Sequence, residues 1–387
     1  MNRIPLAGAA AAFLSLLPVA VAQQPKAITA DGSSTVEPIT SAVVAEFVKV
    51  RPDVRVSVGV SGTSGGFRRF LVGETDLSNA SRAIKKEEIE KAATAKVEYL
   101  ETLVAFDGLT IAIAQTSEIF GKEKPALTVG ELELLWCREA EGIVTNWRHL
   151  GSRFADAKIT LSGAASTSGT FDFLTEVVNK KTGDTRSDYF ATEEDQLLAE
   201  QTSKNPHALT YFGYAFYLHN QERVQPVAID PRRTTVDAPA DILAKINEKR
   251  VANGKKPLVN AAAPLAGVLP DVDTIGSNAY QPLTRPLFVY VNRKSAERPE
   301  VQALLEFYLD EKRIGNREFM LDVGYVPAQR RLRDASRAIQ KGLIVGSAFG
   351  GDFGHLTAAA IAEKYQAHAK LTGQKPAPTN ASGQKGQ

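Results

Sequence analysis

The sequence predicts an α/β protein in which helices cover a mostly parallel β-sheet. Two observations predict this class: segments of strand periodicity alternate with segments of helix periodicity, and loops rich in Gly, Ser and Thr lie between them. The strand-type segments are residues 54–60, 109–114 and 287–291. Apolar residues three or four positions apart predict helices around Ile39, Leu132, Ile242 and Val301.

The first 22 residues are typical of a cleaved secretory signal. Arg3 precedes an apolar run over residues 6–21, and the A-x-A sequence at residues 20–22 predicts cleavage near Ala22. The apolar run is short and rich in alanine, so a membrane anchor is not expected. We therefore expect a soluble, exported protein in the periplasm. At the other end, residues 373–387 have no apolar face and are expected to form a disordered tail.

Composition and charge exclude several classes of protein. The chain has 46 Lys and Arg residues against 44 Asp and Glu residues, and this balance excludes a strongly basic nucleic-acid binder. The single cysteine, Cys137, excludes an internal disulfide and a cysteine-based zinc cluster. The five histidines include no H-x-x-x-H pair. We therefore expect no metal ion, no cofactor and no nucleic-acid partner.

Three short loops rich in Ser, Thr and Gly carry the chemistry. Loop one is residues 31–38, loop two is residues 61–66 and loop three is residues 166–170, and each leads into a predicted helix. Unpaired N–H groups and the positive end of the helix dipole attract anions, and hydroxyl groups add donors. A single loop of this kind is explained by ordinary helix capping. Three in one chain predict a site for a tetrahedral oxyanion, if the fold brings them together.

Loop two also allows a different interpretation. Residues 62–66 match G-x-S-x-G, which gives Ser64 the nucleophile position of a secreted serine hydrolase, and His355 follows in the required chain order. However, an α/β-hydrolase normally forms several strands before its nucleophile, whereas little of the mature chain precedes Ser64. A hydrolase would also leave the other two loops unexplained.

At these loops the sequence resembles the PstS family of periplasmic phosphate-binding proteins of ABC importers, especially its SphX-like branch. The matching segments include DGSSTVEPIT at residues 31–40, SGTSGGFRRFLVGETDLSNASR at 61–82, SGTFDFLTE at 168–176 and VGYVP at 323–327. The resemblance implies a two-lobed type II periplasmic-binding-protein fold with the ligand cleft between the lobes. Lobe one would comprise residues 27–110 and 285–370. Lobe two would comprise residues 111–284, with an insertion at about 231–263.

The resemblance also implies a function and a ligand set. A protein of this family is not an enzyme. It captures inorganic phosphate and delivers it to the membrane subunits of an ABC permease, and we expect it to be a monomer. The phosphate-binding positions that the resemblance implies are Thr35, Val36, Thr63, Ser168, Gly169 and Thr170, together with the pair Ser81 and Arg82. We add Ser34 and Ser64 from the same hydroxyl-rich loops to the predicted phosphate-binding residues. The same fold binding another oxyanion, or acting in signalling, is the remaining alternative.

Two positions depart from the pattern of many relatives. Ala164 stands where many relatives carry an arginine, and Ser81 stands where many carry an aspartate that contacts phosphate. Arg82 is therefore expected to supply the positive charge, with Arg285 as the next candidate. The candidate acceptors for the proton of phosphate are Asp76 and Asp107.

Overall fold

A computed structural model describes residues 26–192, 194–231, 234–261, 267–351, 356 and 358–370. The predicted signal segment, the predicted tail and His355 lie outside the described residues. The strands of the described part are β1 (Lys26–Gly32), β2 (Val54–Val58), β3 (Leu77–Ala80), β4 (Tyr99–Ala114), β5 (Ala126–Thr128), β6 (Thr160–Ala164), β7 (Phe190–Thr192), β8 (Ala208–Gly213), β9 (Val224–Pro226), β10 (Ala228–Asp230), β11 (Thr235–Val236), β12 (Val259–Asn260), β13 (Thr284–Asn292) and β14 (Val326–Pro327). The α-helices are α1 (Glu37–Val50), α2 (Thr63–Phe70), α3 (Lys86–Ala95), α4 (Val129–Trp136), α5 (Gly169–Val178), α6 (Asp195–Ser203), α7 (Tyr214–Leu218), α8 (Ala240–Ala252), α9 (Val272–Gly276), α10 (Pro299–Tyr308), α11 (Arg317–Val323), α12 (Arg330–Gly342) and α13 (Ala358–Ala369). Among the described residues, no helix combines the length and the apolar character that a membrane crossing requires.

The largest sheet has the strand order β2-β1-β3-β13-β4-β8-β6-β7, and β9 and β14 also pair with β4. The pairs of β1 with β2 and β3, and of β6 with β7 and β8, are parallel. At the centre, β13 pairs antiparallel with β3 and β4, and β4 pairs antiparallel with β8. The prediction of a mostly parallel sheet is therefore confirmed for the outer strands and wrong for the centre, where strands pass between the two halves of the sheet.

Strand β4 joins these two halves. Its residues 99–108 pair with β13, which lies beside β3, β1 and β2 in the first half. Its residues 109–113 pair with β8, which lies beside β6 and β7 in the second half. Every residue of β4 is buried except Asp107, which is half-buried. The apolar run at 109–114 was predicted as a strand, but the polar residues before it concealed how far β4 extends. The lobe boundaries given above stay a prediction.

Helix α1 illustrates how the local sequence builds these elements. Pro38 lies in its first turn, where the missing N–H has no intrahelical partner to lose. The side chains of Ile39, Val43 and Phe47 lie on one face and are buried in the core. The beginning of α1 is therefore fixed immediately after loop one.

The predicted insertion folds as β11, α8 and β12, and buried charges anchor it to the second half. Arg250 is 5% exposed, and its Nη2 lies 2.7 Å from Oε1 of Glu133 on α4. Lys255 Nζ lies 3.0 Å from Glu139 and 2.6 Å from Asp184. The segment is therefore packed into the second half and is not a loose surface loop, because its ion pairs hold it to α4 and to the loop that contains Asp184.

Candidate functional site

Loop one presents two hydroxyl groups at the start of α1. Ser33 Oγ accepts a hydrogen bond of 3.2 Å from the Thr35 N–H, and the Val36 N–H donates to the Ser33 carbonyl at 3.2 Å. The tight turn leaves the side chains of Ser34 and Thr35 lining a cleft. Val36 is completely buried, and its N–H is used within the loop. Of the predicted residues in this loop, Ser34 and Thr35 therefore face the cleft.

Close backbone packing brings loop two beside loop one. A Cβ on Gly66 would lie 2.5 Å from the Cα of Gly32, so α2 can pack this closely against β1 only with glycine there. A Cβ on Gly32 would lie 2.2 Å from the Asn79 carbonyl oxygen. The hydroxyl of Thr63, at the start of α2, accepts the Ser81 N–H at 3.2 Å and lies 3.1 Å from the Ser81 hydroxyl.

Loop three approaches from the second half of the sheet. Ser168 caps α5, because its Oγ accepts the Thr170 N–H at 3.2 Å. A Cβ on Gly169 would lie 3.5 Å from both Ser34 Oγ and Thr35 Oγ1, which is ordinary van der Waals contact. Loop three thus meets loop one across the two halves of the sheet. The fold therefore brings loops one and three together, as the predicted oxyanion site requires.

The three loops line one cleft of 770 Å³. The predicted residues on its wall are Ser34, Thr35, Thr63, Ser64, Ser81, Arg82 and Gly169. Thr170 lines an adjoining cavity of 260 Å³, which shares Ser34, Thr35 and Gly169 with the cleft. Val36 and Ser168 line neither space. Among the described residues, no cluster of His, Cys, Asp and Glu side chains could hold a metal ion.

Arg285 lies where the two spaces meet. Its Nε donates to Asp107 Oδ2 at 3.0 Å, and its Nη2 donates to Thr35 Oγ1 at 2.9 Å. Its guanidinium carbon lies 4.1 Å from the centre of the Phe173 ring on α5. Arg285 therefore contacts loop one, the joining strand β4 and the helix that follows loop three. Arg285 is only the second choice from the sequence, although a lone charged residue in the largely apolar strand β13 is an available signal.

Arg82 also lines the cleft, but a carboxylate holds its guanidinium. Its two terminal nitrogens donate to both oxygens of Glu88 at 2.8 and 2.9 Å. Its Nη2 also lies 3.1 Å from Ser64 Oγ, and its guanidinium carbon lies 5.3 Å from the centre of the Phe67 ring. This bidentate pair already satisfies much of the charge that Arg82 could offer to a ligand.

The two candidate proton acceptors lie in different places. Asp76 accepts hydrogen bonds from the Thr29 N–H at 2.9 Å, from Ser295 at 2.6 Å and from Arg298 at 2.8 Å, and it lines neither space. Asp107 lines the smaller cavity beside Arg285. Asp76 therefore lies away from the cleft, whereas Asp107 lies beside Arg285, and the role of proton acceptor stays a prediction. Asp76 precedes β3 and Ser81 follows it, so that five residues of extended chain separate them by roughly 16 Å.

Ser64 does not have the surroundings of a hydrolase nucleophile. It lies in the first turn of α2, and its φ is not positive, so that the strained turn of a nucleophile elbow is missing at this position. Its Oγ accepts from Arg82, and no described histidine contacts it. The arrangement is that of a helix N-terminus with a hydroxyl turned to the cleft.

Charged residues that the sequence analysis missed complete the cleft wall. They are Arg68, Lys85, Lys180, Asp172 and Glu176. The two acids lie one turn apart on α5, at the helical spacing that follows loop three, and this spacing was the available signal. Burial raises the pKa of Asp172, the positive charge of Arg285 opposes that rise, and the negative charge of Glu176 adds to it.

Comparisons with known proteins identify relatives of this chain. Residues 19–312 match the PBP superfamily domain. The chain is 34% identical over 349 residues to the protein SphX of Synechococcus elongatus, which covers 90% of each chain. It is 30% identical over 303 residues to the phosphate-binding protein PstS of Staphylococcus aureus, which covers 78% of each chain.

Solved structures give the same relationship. The crystal structure of "a possible phosphate binding protein" from Planctomyces limnophilus is 32% identical and superposes with a TM-score of 0.66, over 82% of this chain and 99% of that one. The PstS structure from Borrelia burgdorferi has a TM-score of 0.56 over 79% of this chain and 99% of that one. Since its identity is 22%, this second likeness concerns the fold alone. The fold is thus the two-lobed periplasmic-binding-protein fold that was predicted.

Proposed function

Because the chain belongs to the PBP superfamily and, within it, to the family of the SphX and PstS proteins, we propose that it is a phosphate receptor. It binds inorganic phosphate in the cleft between the two halves of the sheet. It acts as an exported monomer in the periplasm and presents the ion to the membrane subunits of an ABC permease. It binds phosphate without chemical turnover, and no finding supports the alternative of a serine hydrolase.

One observation carries this proposal: two hydroxyl-rich helix N-termini from opposite halves meet beside the guanidinium of Arg285. Gly169 of loop three lies against Ser34 and Thr35 of loop one, and Arg285 donates to Thr35. A doubly charged phosphate needs a positive group as well as neutral donors. Arg285 supplies this positive group, because position 164 is an alanine here and not the arginine that many relatives carry.

We assign the remaining roles by position. Thr35 and Ser34 donate from loop one, Thr63 from loop two, and Gly169 and Thr170 from loop three. Arg82 orders loop two through Ser64 and Glu88. Asp107 Oδ1 accepts a hydrogen bond from the hydroxyl group of hydrogen phosphate, while its Oδ2 stays bound to Arg285.

Titration calorimetry of the mature protein tests the proposal. We expect one phosphate per chain, and weaker binding of sulfate, because sulfate has no proton to offer to Asp107 and would face its carboxylate unpaired. The absence of phosphate binding contradicts the proposal. Steady release of nitrophenol from nitrophenyl phosphate or a nitrophenyl ester would instead favour a hydrolase.

A matched pair of variants tests the site. Thr63→Ala should weaken phosphate binding by about 1.5–3 kcal/mol, as expected for a lost hydrogen bond to a charged group. Ser117→Ala, whose hydroxyl donates to the Pro206 carbonyl outside the cleft, serves as the control and should leave the affinity unchanged. If Thr63→Ala binds phosphate as tightly as Ser117→Ala does, the Thr63 hydroxyl only holds Ser81 in place and does not contact the ion.

A further inference from the structure

The two walls of the cleft carry opposite charges. On the first half of the sheet, Arg68 on α2 and Lys85 before α3 line the cleft. On the second half, the acids Asp172 and Glu176 lie one helical turn apart on the cleft side of α5. Positive and negative side chains therefore face each other across the space between the two halves.

The two cations of the first half have no acidic partner within that half. Arg68 and Lys85 are exposed, and neither lies within ion-pair distance of a carboxylate among the described residues. The guanidinium of Arg68 lies over the first turn of α2, since its Nη2 would lie 3.6 Å from a Cβ on Gly65. Arg82, the third cation of this wall, is already held by Glu88.

Glu176 is the matching acid on the second half. It is exposed, and in the part of the chain that the structure describes it has no ion-pair partner. Lys180, one turn further along, donates to the Val177 carbonyl at 2.6 Å instead. The other acid, Asp172, lies nearer the loops, where it feels the positive charge of Arg285. Glu176 is therefore the acid that is available to the opposite wall.

The two helices carry these charges outward from the loops. Arg68 lies about one and a half turns beyond Thr63 at the start of α2, and Glu176 lies about two turns beyond Gly169 at the start of α5. The rise along each helix is thus similar, roughly 7 and 10 Å. If the halves close around a bound ion, the two walls approach each other. Water between the charges is then displaced, and their attraction becomes stronger.

We propose that Glu176 forms an ion pair with Arg68 and Lys85 only when the two halves close around phosphate. Glu176 is then a positioning residue. It raises the affinity for phosphate without touching the ion, because the closed state gains a contact that the open state lacks. This inference rests on the proposed function, since phosphate is the ligand that holds the halves together. The pairing also gives a role to a carboxylate whose charge alone would repel an anion from the cleft.

The sign of one substitution separates this pairing from simple repulsion. If Glu176 only repelled the anion, Glu176→Gln would bind phosphate more tightly. The ion pair predicts the opposite, an increase in Kd of about twofold to fivefold in titration calorimetry on the mature protein at low ionic strength. Glu176→Lys should raise Kd by more than about fivefold, although it adds positive charge to the cleft, because like charges then face each other on closing. Glu248→Gln, which removes an exposed glutamate of α8 outside the cleft, is the control and should leave Kd unchanged.

The same substitution in the R68Q/K85Q background identifies the partners. There Glu176→Gln should not raise Kd, because the acid has lost the cations with which it pairs. The melting temperature of the ligand-free protein should be the same with and without Glu176→Gln, because the pair is absent from the open state. A merely structural role of Glu176 would lower that temperature and would not depend on Arg68 and Lys85.

The possible failures are distinct. If Glu176→Gln leaves Kd unchanged or lowers it while the wild type binds phosphate, the ion pair is overturned and the proposed function stays intact. An equal rise in Kd in both backgrounds would also overturn the pair, because Glu176 would then act without Arg68 and Lys85. If the wild type does not bind phosphate, the proposed function fails, and the pairing fails with it.

Discussion

Replacing Arg285 with alanine should weaken phosphate binding more than replacing any other residue of the cleft. The side chains of Arg285 and Asp107 are 13% and 15% exposed, so their pair is largely desolvated. Without Arg285, the Asp107 carboxylate would lie unpaired beside the ion that it must tolerate. Truncating one partner of such a buried pair costs about 2–5 kcal/mol. This loss corresponds to an increase in Kd of roughly 30-fold to several thousand-fold.

Calorimetry on the two arginine variants gives the decisive comparison. Arg82→Ala is the matched control, because it removes the same side chain from the same cleft but leaves Arg285 in place. It should raise Kd by less than about tenfold, since both oxygens of Glu88 already hold its guanidinium. Arg285→Lys should recover only part of the affinity, because an ammonium group cannot contact Thr35 and Asp107 with the planar geometry of a guanidinium. If Arg82→Ala loses as much affinity as Arg285→Ala, the assignment of Arg285 is refuted.

Three further predictions concern specificity and stability. Asp107→Asn should reduce the preference for phosphate over sulfate at neutral pH, and an unchanged ratio of the two Kd values would remove Asp107 as the proton acceptor. Burial raises the pKa of Glu101 to about 7 from 4.5, so its contribution to the free energy of unfolding is fully present at low pH and is lost as the pH rises from 4.5 through 7. Its amplitude is at most about 3 kcal/mol. Glu101→Gln should therefore flatten the fall in stability between pH 5 and pH 8 in denaturant titrations, and an unaltered pH profile would refute this role. Arg250→Met should destabilise the fold by about 3–5 kcal/mol because it leaves buried Glu133 unpaired. Lys204→Met, which breaks an exposed pair, should change the free energy of unfolding by less than about 1 kcal/mol, and equal losses would contradict this reasoning.

The elements and loops could be predicted because their signals are local. A Ser-Gly-Thr sequence before a helix predicts that the serine caps the helix, and Ser168 does so by accepting the Thr170 N–H. The apolar spacing of α1 and α10 likewise shows in the sequence which face is buried. These features depend on neighbours within one or two turns of helix.

The central role of Arg285 could not be predicted in this way. Its hydrogen-bond partners lie 178 and 250 residues away in the sequence. The register of β13 on β4 places Asp107 opposite Arg285, whereas Thr35 contacts it from loop one. Asp76 shows the opposite case, since it is close to Ser81 in sequence but lies at the other end of the extended strand β3. Proximity along the chain indicates a shared site in a loop, where the chain turns back, but not across a strand.

The position of Arg285 on the joining strands has a mechanical consequence. Arg285 and Asp107 are register partners in the β13–β4 ladder, and β4 enters the second half of the sheet two residues after Asp107. If the halves rotate against each other, the pivot lies in these strands, and groups at a pivot move least. Groups that lie off these strands on either half, such as Gly169 and Thr63, move farther. The charged pair therefore keeps its geometry throughout the movement. An incoming anion would then bind first to the fixed positive charge of Arg285. It would contact the hydroxyl groups of the loops as the two halves close.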